Sequence, residues 1–477
     1  MNRKNWLMAG LLVAGHVALA DQGENEGNGN GNGNGKGKKG QTVILATGRR
    51  DPRMYSIDLQ KAILPANQGT SNALLSRAKV ALDRLDGKLL GDSANLAISE
   101  DGKKAYIVNH HGNIDNDEYL QHGGRGNMAI LDIKKMIKPE NDNTAAALER
   151  EMDTGGFGAV GIILLPDMFI FGSAEGWLTE DGGNRINFVD RRTGSLRHSV
   201  EQRLGTPGTR TCPAWPVPFT SPNGPPPDLA VLSPHPSWGC YPDTNGLVVG
   251  HANNGKSYIF AANGGTDDVS VVDLEAALAG VKTAEVNRIP TQIGPWGIAV
   301  SPNGKLVVAA NRESQRVAFE GNTVSFIDVD QAAASTTGGG EIKRMRVCTD
   351  SDSVQTRPFI PSFTPDGTKL IVPCFRSNNV AIIDVAKALA NQPGAEVRVA
   401  LTRAPDVDGV TRPARPKGSA VTSDGRYAVI SAGPRTNFVP YSPSGYVYVI
   451  DLTTNTLVGT VTGIGNDPYG LAVTDVK

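Results

Sequence analysis

Residues 297–311, GIAVSPNGKLVVAAN, followed after an insert by NTVSFID at 322–328, read as three strands in a row. GIAVS and LVVAAN alternate or run apolar, as half-buried and buried strands do. Between them sits Pro-Asn-Gly, and Asn-Gly tolerates the positive φ that a tight reversal needs. NTVSFID alternates again and closes on Asp328. That closing phrase occurs seven times, as MYSID ending at Asp58, MAILD at Asp132, INFVD at Asp190, VSVVD at Asp273, VSFID at Asp328, VAIID at Asp384 and VYVID at Asp451. The turn recurs too, as SEDGK (99–103), TPDGT (364–368) and TSDGR (422–426). A fourth strand follows the aspartate, as in TLVGTVT at 456–462. Four antiparallel strands repeated seven times imply a ring of small sheets. The seven aspartates recur at one structural position, so the expected role is accepting from their own turn amides.

The ring does not close within either terminal segment alone. Only TVILATG (42–48) precedes the first Asp-ended phrase, and YGLAVTD (469–475) ends the chain with no sheet after it. Placed side by side they supply the missing order, so one sheet is expected to be shared by the two ends. Such closure hides edges that an open array would leave unpaired. The expectation is an all-β, seven-bladed β-propeller of four-stranded antiparallel blades.

The segments 295–311 (PWGIAVSPNGKLVVAAN) and 322–329 (NTVSFIDV) resemble the YVTN-type β-propeller repeat. That repeat is similar to those of the cytochrome d1, amine-dehydrogenase heavy-chain and lactonase-like propellers. The resemblance covers about residues 42–475. It implies the fold, and it leaves the chemistry open because propellers host many activities.

Residues 1–20 read as a secretory signal: Arg3 and Lys4, an apolar run too short to span a bilayer, then Ala18-Leu19-Ala20. Removing them takes two cations from a chain of net charge −1, leaving −3. No basic excess exists for a nucleic-acid partner. Residues 21–41 are Gly/Asn-rich and read as a flexible tether, with the propeller domain at 42–477. No further stretch is long and apolar enough for a membrane helix, so a monomeric periplasmic or secreted protein is expected. Four cysteines suit an oxidising compartment. Of three possible connectivities, Cys212–Cys240 with Cys348–Cys374 is the local one.

Asp-to-Asp spacings are 74, 58, 83, 55, 56 and 67, against about 40–45 residues for a bare blade. The excess lies between second and third strands and between blades. Both kinds of connection emerge on one face, while the remaining turns are expected to be tight and on the other. Loops on a rigid scaffold carry function, so the elaborated face is the candidate site. Residues just past each second strand give its rim: Arg49 and Arg50, Asn109 to His111, Glu175, Asn263, Asn311 and Arg312, Arg376 and Arg435. Converging guanidinium groups suit a carboxylate or another anion. The competing reading pairs each arginine with a loop acid such as Asp51, Glu313 or Glu175.

The loop NHHGNIDNDEYLQH (109–122) holds His110, His111 and His122 with Asp115, Asp117 and Glu118. Imidazole with carboxylate, including Glu175, suits zinc or copper; alternating Asn113, Asp115 and Asp117 suit calcium. The spacing matches no strict metal motif, and a solvated polar loop is the alternative. Trp177, Trp238 and Trp296 read as inter-blade packing, with channel lining as the other possibility. Gly155 to Gly161 read as a close backbone approach, since no helix follows them. The function expected is binding or scaffolding: the loop face presents Arg and His to a small anion, a metal or a protein partner. The alternative is an enzyme, either a metal-dependent hydrolase or lactonase, or the large subunit of a quinone-linked dehydrogenase.

Overall fold

The computed structural model describes residues 40–48, 51, 53–80, 93–113, 125–175, 183–205, 241–313, 320–403, 411–433, 445–465 and 467–476. These form seven four-stranded antiparallel sheets. Blade 1 consists of Gln41–Gly48, Arg53–Asp58 and Leu74–Lys79, completed by Pro468–Val476 as its innermost strand. Blade 2 runs Ser93–Ile98, Lys104–Asn113, Arg125–Asp132, Leu148–Phe157, and blade 3 runs Ala159–Leu164, Met168–Ser173, Arg185–Asp190, Leu196–Glu201. Blades 4 and 5 begin with Thr244–His251 and Pro295–Val300, blade 6 with the short Ser362–Phe363, and blade 7 with Pro416–Val421. First strands touch first strands from blade to blade, and the closing strand lies between those of blades 7 and 2. The ring therefore shuts as the two ends of the sequence imply, with Gln41 opposite Val476 and Ala46 opposite Leu471. Gln41, the last residue of the expected tether, is already in the strand.

Alternation gives each blade two apolar faces, and each face is buried against the next blade. Seven apolar clusters fill the seven gaps, for example Ile44, Tyr55 and Ile57 against Val429, Val447 and Val449 between blades 1 and 7. Close approach of the inner strands requires glycine at a few places. A Cβ on Gly418 would lie 2.0 Å from the Tyr469 carbonyl oxygen, so no side chain fits between blade 7 and the closing strand.

All seven closing aspartates end or adjoin the third strand, and all hold turn amides. Asp58, Asp132, Asp273, Asp328 and Asp384 cap short helices by accepting from the amide three residues on. Asp190 accepts from Arg192 and Thr193, and Asp451 from Thr453. Those helices correct the expectation that the opposite face carries tight turns only, for the third-to-fourth connections are helical in five blades. The first-to-second turns are tight, but only their glycines (102, 304, 367 and 425) hold φ positive, at 66° to 72°. The neighbouring Asn or Asp instead accepts the amide two residues on. No helix among the described residues is long and apolar enough to cross a membrane.

Candidate functional site

Two sets of residues meet at the mouth of the channel: those at the end of or just past the second strands, and those at or before the start of the first strands. Strand direction alternates, so both sets emerge together. Their contacts demonstrate it. Glu175, past the second strand of blade 3, lies 3.3 Å from His110 Nε2 of blade 2. Gly158, at φ +62°, makes room for it: a Cβ there would sit 2.7 Å from Glu175 Cγ. This is the close backbone approach expected of the glycine run at 155–161.

Asp243 precedes the first strand of blade 4 and is buried. Burial and the Glu175 charge push its carboxyl up to about 8, against the pull of Arg312. From here the charges continue through blades 5 and 6. Arg312 pairs with Glu313 at 2.5 Å, and Glu313 with Arg357 at 2.5 Å. Arg357 reaches Glu320 at 3.0 Å, and Glu320 also takes a two-pronged contact from Arg376. Burial works to raise the Glu313 pKa, but Arg312, Arg357 and Arg376 outweigh it and the net shift is downward. The carboxylate is held ionised.

Arg415 stands apart. It is half-buried, its guanidinium lies 4.9 Å from the Phe375 ring centroid, and among the described residues no carboxylate is paired with it. Burial, then the like charges of Arg376 and Arg357, lower its pKa from the ordinary arginine value, against the weaker pull of Glu320. It stays charged nonetheless, because arginine does not deprotonate in proteins. Beside it Lys417 is completely buried, 2.5 Å from Asp467 and 2.5 Å from the Gly433 carbonyl oxygen. The mouth thus has an acidic side, Glu175 and Asp243 with His110, and a basic side. On the basic side Arg312, Arg357, Arg376, Arg415 and Lys417 face Glu313, Glu320 and Asp467.

Four of these residues share a backbone trait. Asp243, Arg357, Arg415 and Asp467 all hold φ between 52° and 56°. Three of them precede a proline. Left-handed backbone at non-glycine residues costs of order 1–3 kcal/mol and clusters at functional sites.

The structure brings together Arg312, Arg376, His110 and Glu175 among the residues expected from sequence. It does not bring Asn263 or Asn311 to the surface of the mouth. Both are fully buried, and their amide NH2 groups donate inside their own blades, to Asp268 and Ser270 and to Thr323 and Ser325. Pairing of arginine with loop acids holds for Arg312 and Arg376, but inside the mouth and not on its outer surface. Arg49, Arg50, Arg435, Asp115, Asp117, His122, Cys212 and Cys240 lie outside the described residues; His111 follows His110 in the same strand. No three His, Cys, Asp or Glu group as a metal would require among the described residues. Cys348 and Cys374 are bonded. That bond ties the link carrying Arg357 to the strand that delivers Phe375 and Arg376. Trp296 packs at the channel, 5.0 Å from the Phe359 ring and 5.5 Å from Tyr469. Arg357, Arg415, Lys417, Asp243 and Asp467 were not singled out in the sequence. Asp243, Arg415 and Asp467 each immediately precede an innermost strand, Lys417 is the second residue of one, and Arg357 lies in the link before one.

No protein-family model matches the chain, and no curated protein matches it in sequence. Its fold is similar to solved structures. The periplasmic gluconolactonase of Pseudomonas aeruginosa superposes with a TM-score of 0.57 at 14% identity, covering 91% of this chain and 100% of that one. A putative 6-phosphogluconolactonase from Bacteroides uniformis gives 0.53 at 15% identity, over 91% and 100% of the two chains. One from Bacteroides fragilis gives 0.53 at 16%, over 91% and 98%. At such identities the likeness is one of fold.

Proposed function

We propose that this propeller is an extracytoplasmic binding protein that takes a small organic anion at the channel mouth. The Cys348–Cys374 disulfide supports the compartment, since such bonds persist where thiols are not kept reduced. The observation that carries the ligand class is Arg415, a half-buried cation stacked on Phe375, crowded by two guanidinium groups and paired with no described carboxylate. An incoming carboxylate relieves that crowding and gains charge-assisted hydrogen bonds. Calorimetric titration with gluconate and succinate tests this. Arg415→Gln is expected to weaken binding roughly tenfold to a hundredfold, the value of about 1.5–3 kcal/mol for a charged hydrogen bond. Unchanged affinity would remove the reading. Affinity is also expected to fall as pH rises through about 8, where Asp243 ionises and sets a negative charge beside Arg312. Asp243→Asn should flatten that dependence.

The His110–Glu175 pair favours a second reading, hydrolysis of a lactone. A carboxylate at hydrogen-bonding range orients an imidazole so that it can take a proton from attacking water, and Arg312 would face the developing oxyanion. The gluconolactonase names of the similar structures point the same way. Glucono-lactone opening above the spontaneous rate, lost in His110→Ala but with gluconate binding retained, is the expected result under this reading. A rate equal to the spontaneous one leaves binding as the function.

A further inference from the structure

Resting on the anion-binding reading, we infer that the ligand carries an aromatic ring as well as its carboxylate: an aryl alkanoate, with ring and acid joined by a short linker. The channel mouth is floored by four rings drawn from different parts of the chain. Phe359 comes from the link between blades 5 and 6, Phe375 from blade 6, Tyr469 from the closing strand, and Trp296 from the first strand of blade 5. Phe359, Tyr469 and Phe375 are 0%, 2% and 7% exposed, and Trp296 alone of the four stays partly exposed. Phe359 and Tyr469 brace it in tilted and edge-on contacts, so the indole cannot turn away to bury itself further. A large apolar ring left at a polar rim is a place for a ring to stack.

The cations are arranged around the same rings. Arg312 lies 4.6 Å from the Phe359 centroid and 5.4 Å from that of Trp296. Arg357 and Arg415 lie 4.8 and 4.9 Å from Phe375, and Lys417 is 5.2 Å from the same centroid. A guanidinium spread on a ring spends its face on the π system and keeps its N–H edge for an acceptor in its own plane. A carboxylate is such an acceptor. Trp296, Phe359 and Phe375 follow one another at 5.0 and 6.1 Å, so the partly exposed indole and the crowded Arg415 belong to one assembly of packed rings. A saturated acid would satisfy the arginine and leave the indole wet. An aryl acid satisfies both.

The matched probes are 3-phenylpropionate and 3-cyclohexylpropionate, equal in charge and similar in length. The saturated acid is at least as hydrophobic, so simple burial would not favour the aryl one. Calorimetry and quenching of indole fluorescence should show phenylpropionate binding about three- to tenfold tighter, as an aromatic pair is worth roughly 0.5–1.5 kcal/mol. Trp296→Leu should erase the preference and Trp296→Phe should keep it, each checked for an intact fold by circular dichroism. If Trp296→Leu does not fold, the wild-type and Trp296→Phe comparison decides. Both acids binding equally, or the saturated one more tightly, would overturn the aryl assignment and leave the anion reading standing. Silence of both acids, with gluconate and succinate silent too, would overturn both.

Discussion

A chain ending at Gly465 is expected not to fold. The missing segment includes Pro468–Val476, the innermost strand of blade 1, which pairs along the length of Gln41–Gly48. Its loss uncovers the polar edge of Gln41–Gly48 and removes Tyr469, Leu471 and Ala472, all at most 5% exposed. It also removes the Gly470 amide from Thr47, the Asp475 contacts to Thr42 and Ser423, and the partner of Lys417. Burial of a large apolar side chain is worth about 1.5–3 kcal/mol and a hydrogen bond about 1 kcal/mol net, so the strand holds on the order of 10 kcal/mol. That approaches the whole stability of an ordinary domain, about 5–15 kcal/mol. Circular dichroism with urea titration should find no cooperative transition, and a synthetic peptide spanning 467–476 should restore one. A truncated chain melting at the full-length midpoint would contradict closure as the source of stability.

Lys417→Met should be the most damaging single substitution at the mouth, costing about 3–5 kcal/mol. Lys417 is 0% exposed, and its ammonium contacts Asp467, the Gly433 carbonyl and the rings of Phe375 and Tyr469. Methionine replaces the stem but leaves Asp467, itself 1% exposed, as a buried carboxylate without its countercharge. The double variant Lys417→Met with Asp467→Leu removes both charges and should recover much of the loss, because a buried pair gains little over apolar residues of similar shape. Urea melts of the wild type, both single variants and the double variant form a cycle that isolates the coupling. A single variant within about 0.5 kcal/mol of wild type would mean that water reaches Asp467, contrary to its burial.

Much of the architecture was legible because its cause is local. A period-two pattern ending in aspartate makes the third strand and caps the turn or short helix after it, whatever the rest of the chain does. The same holds for Asn-Gly and Asp-Gly at the first turn. Cys348 and Cys374, 26 residues apart, were the local choice among three connectivities, and the structure bonds them. The site was legible by half. Arg312, near the end of a second strand, and Arg376, just past one, stand on the rim because of that position. Arg357 and Arg415 precede first strands, on the same rim, but lie in irregular links with no strand pattern to mark them. Asn263 and Asn311 occupy the right register for the mouth, yet their amides turn into the blade, where Asp268, Ser270, Thr323 and Ser325 wait. Register fixes where a Cα stands, and side-chain partners fix where the group points.

From its own periodicity the chain determined seven blades, their strand order and the splice of tail to head, because repeated burial of alternating faces admits little else. Only the tertiary structure decided which charges meet. Pairings such as Arg376 with Glu320 and Lys417 with Asp467 join residues 56 and 50 positions apart, and His110 with Glu175 spans 65. Their strength comes from desolvation at the channel, a property of the closed ring that no segment possesses by itself.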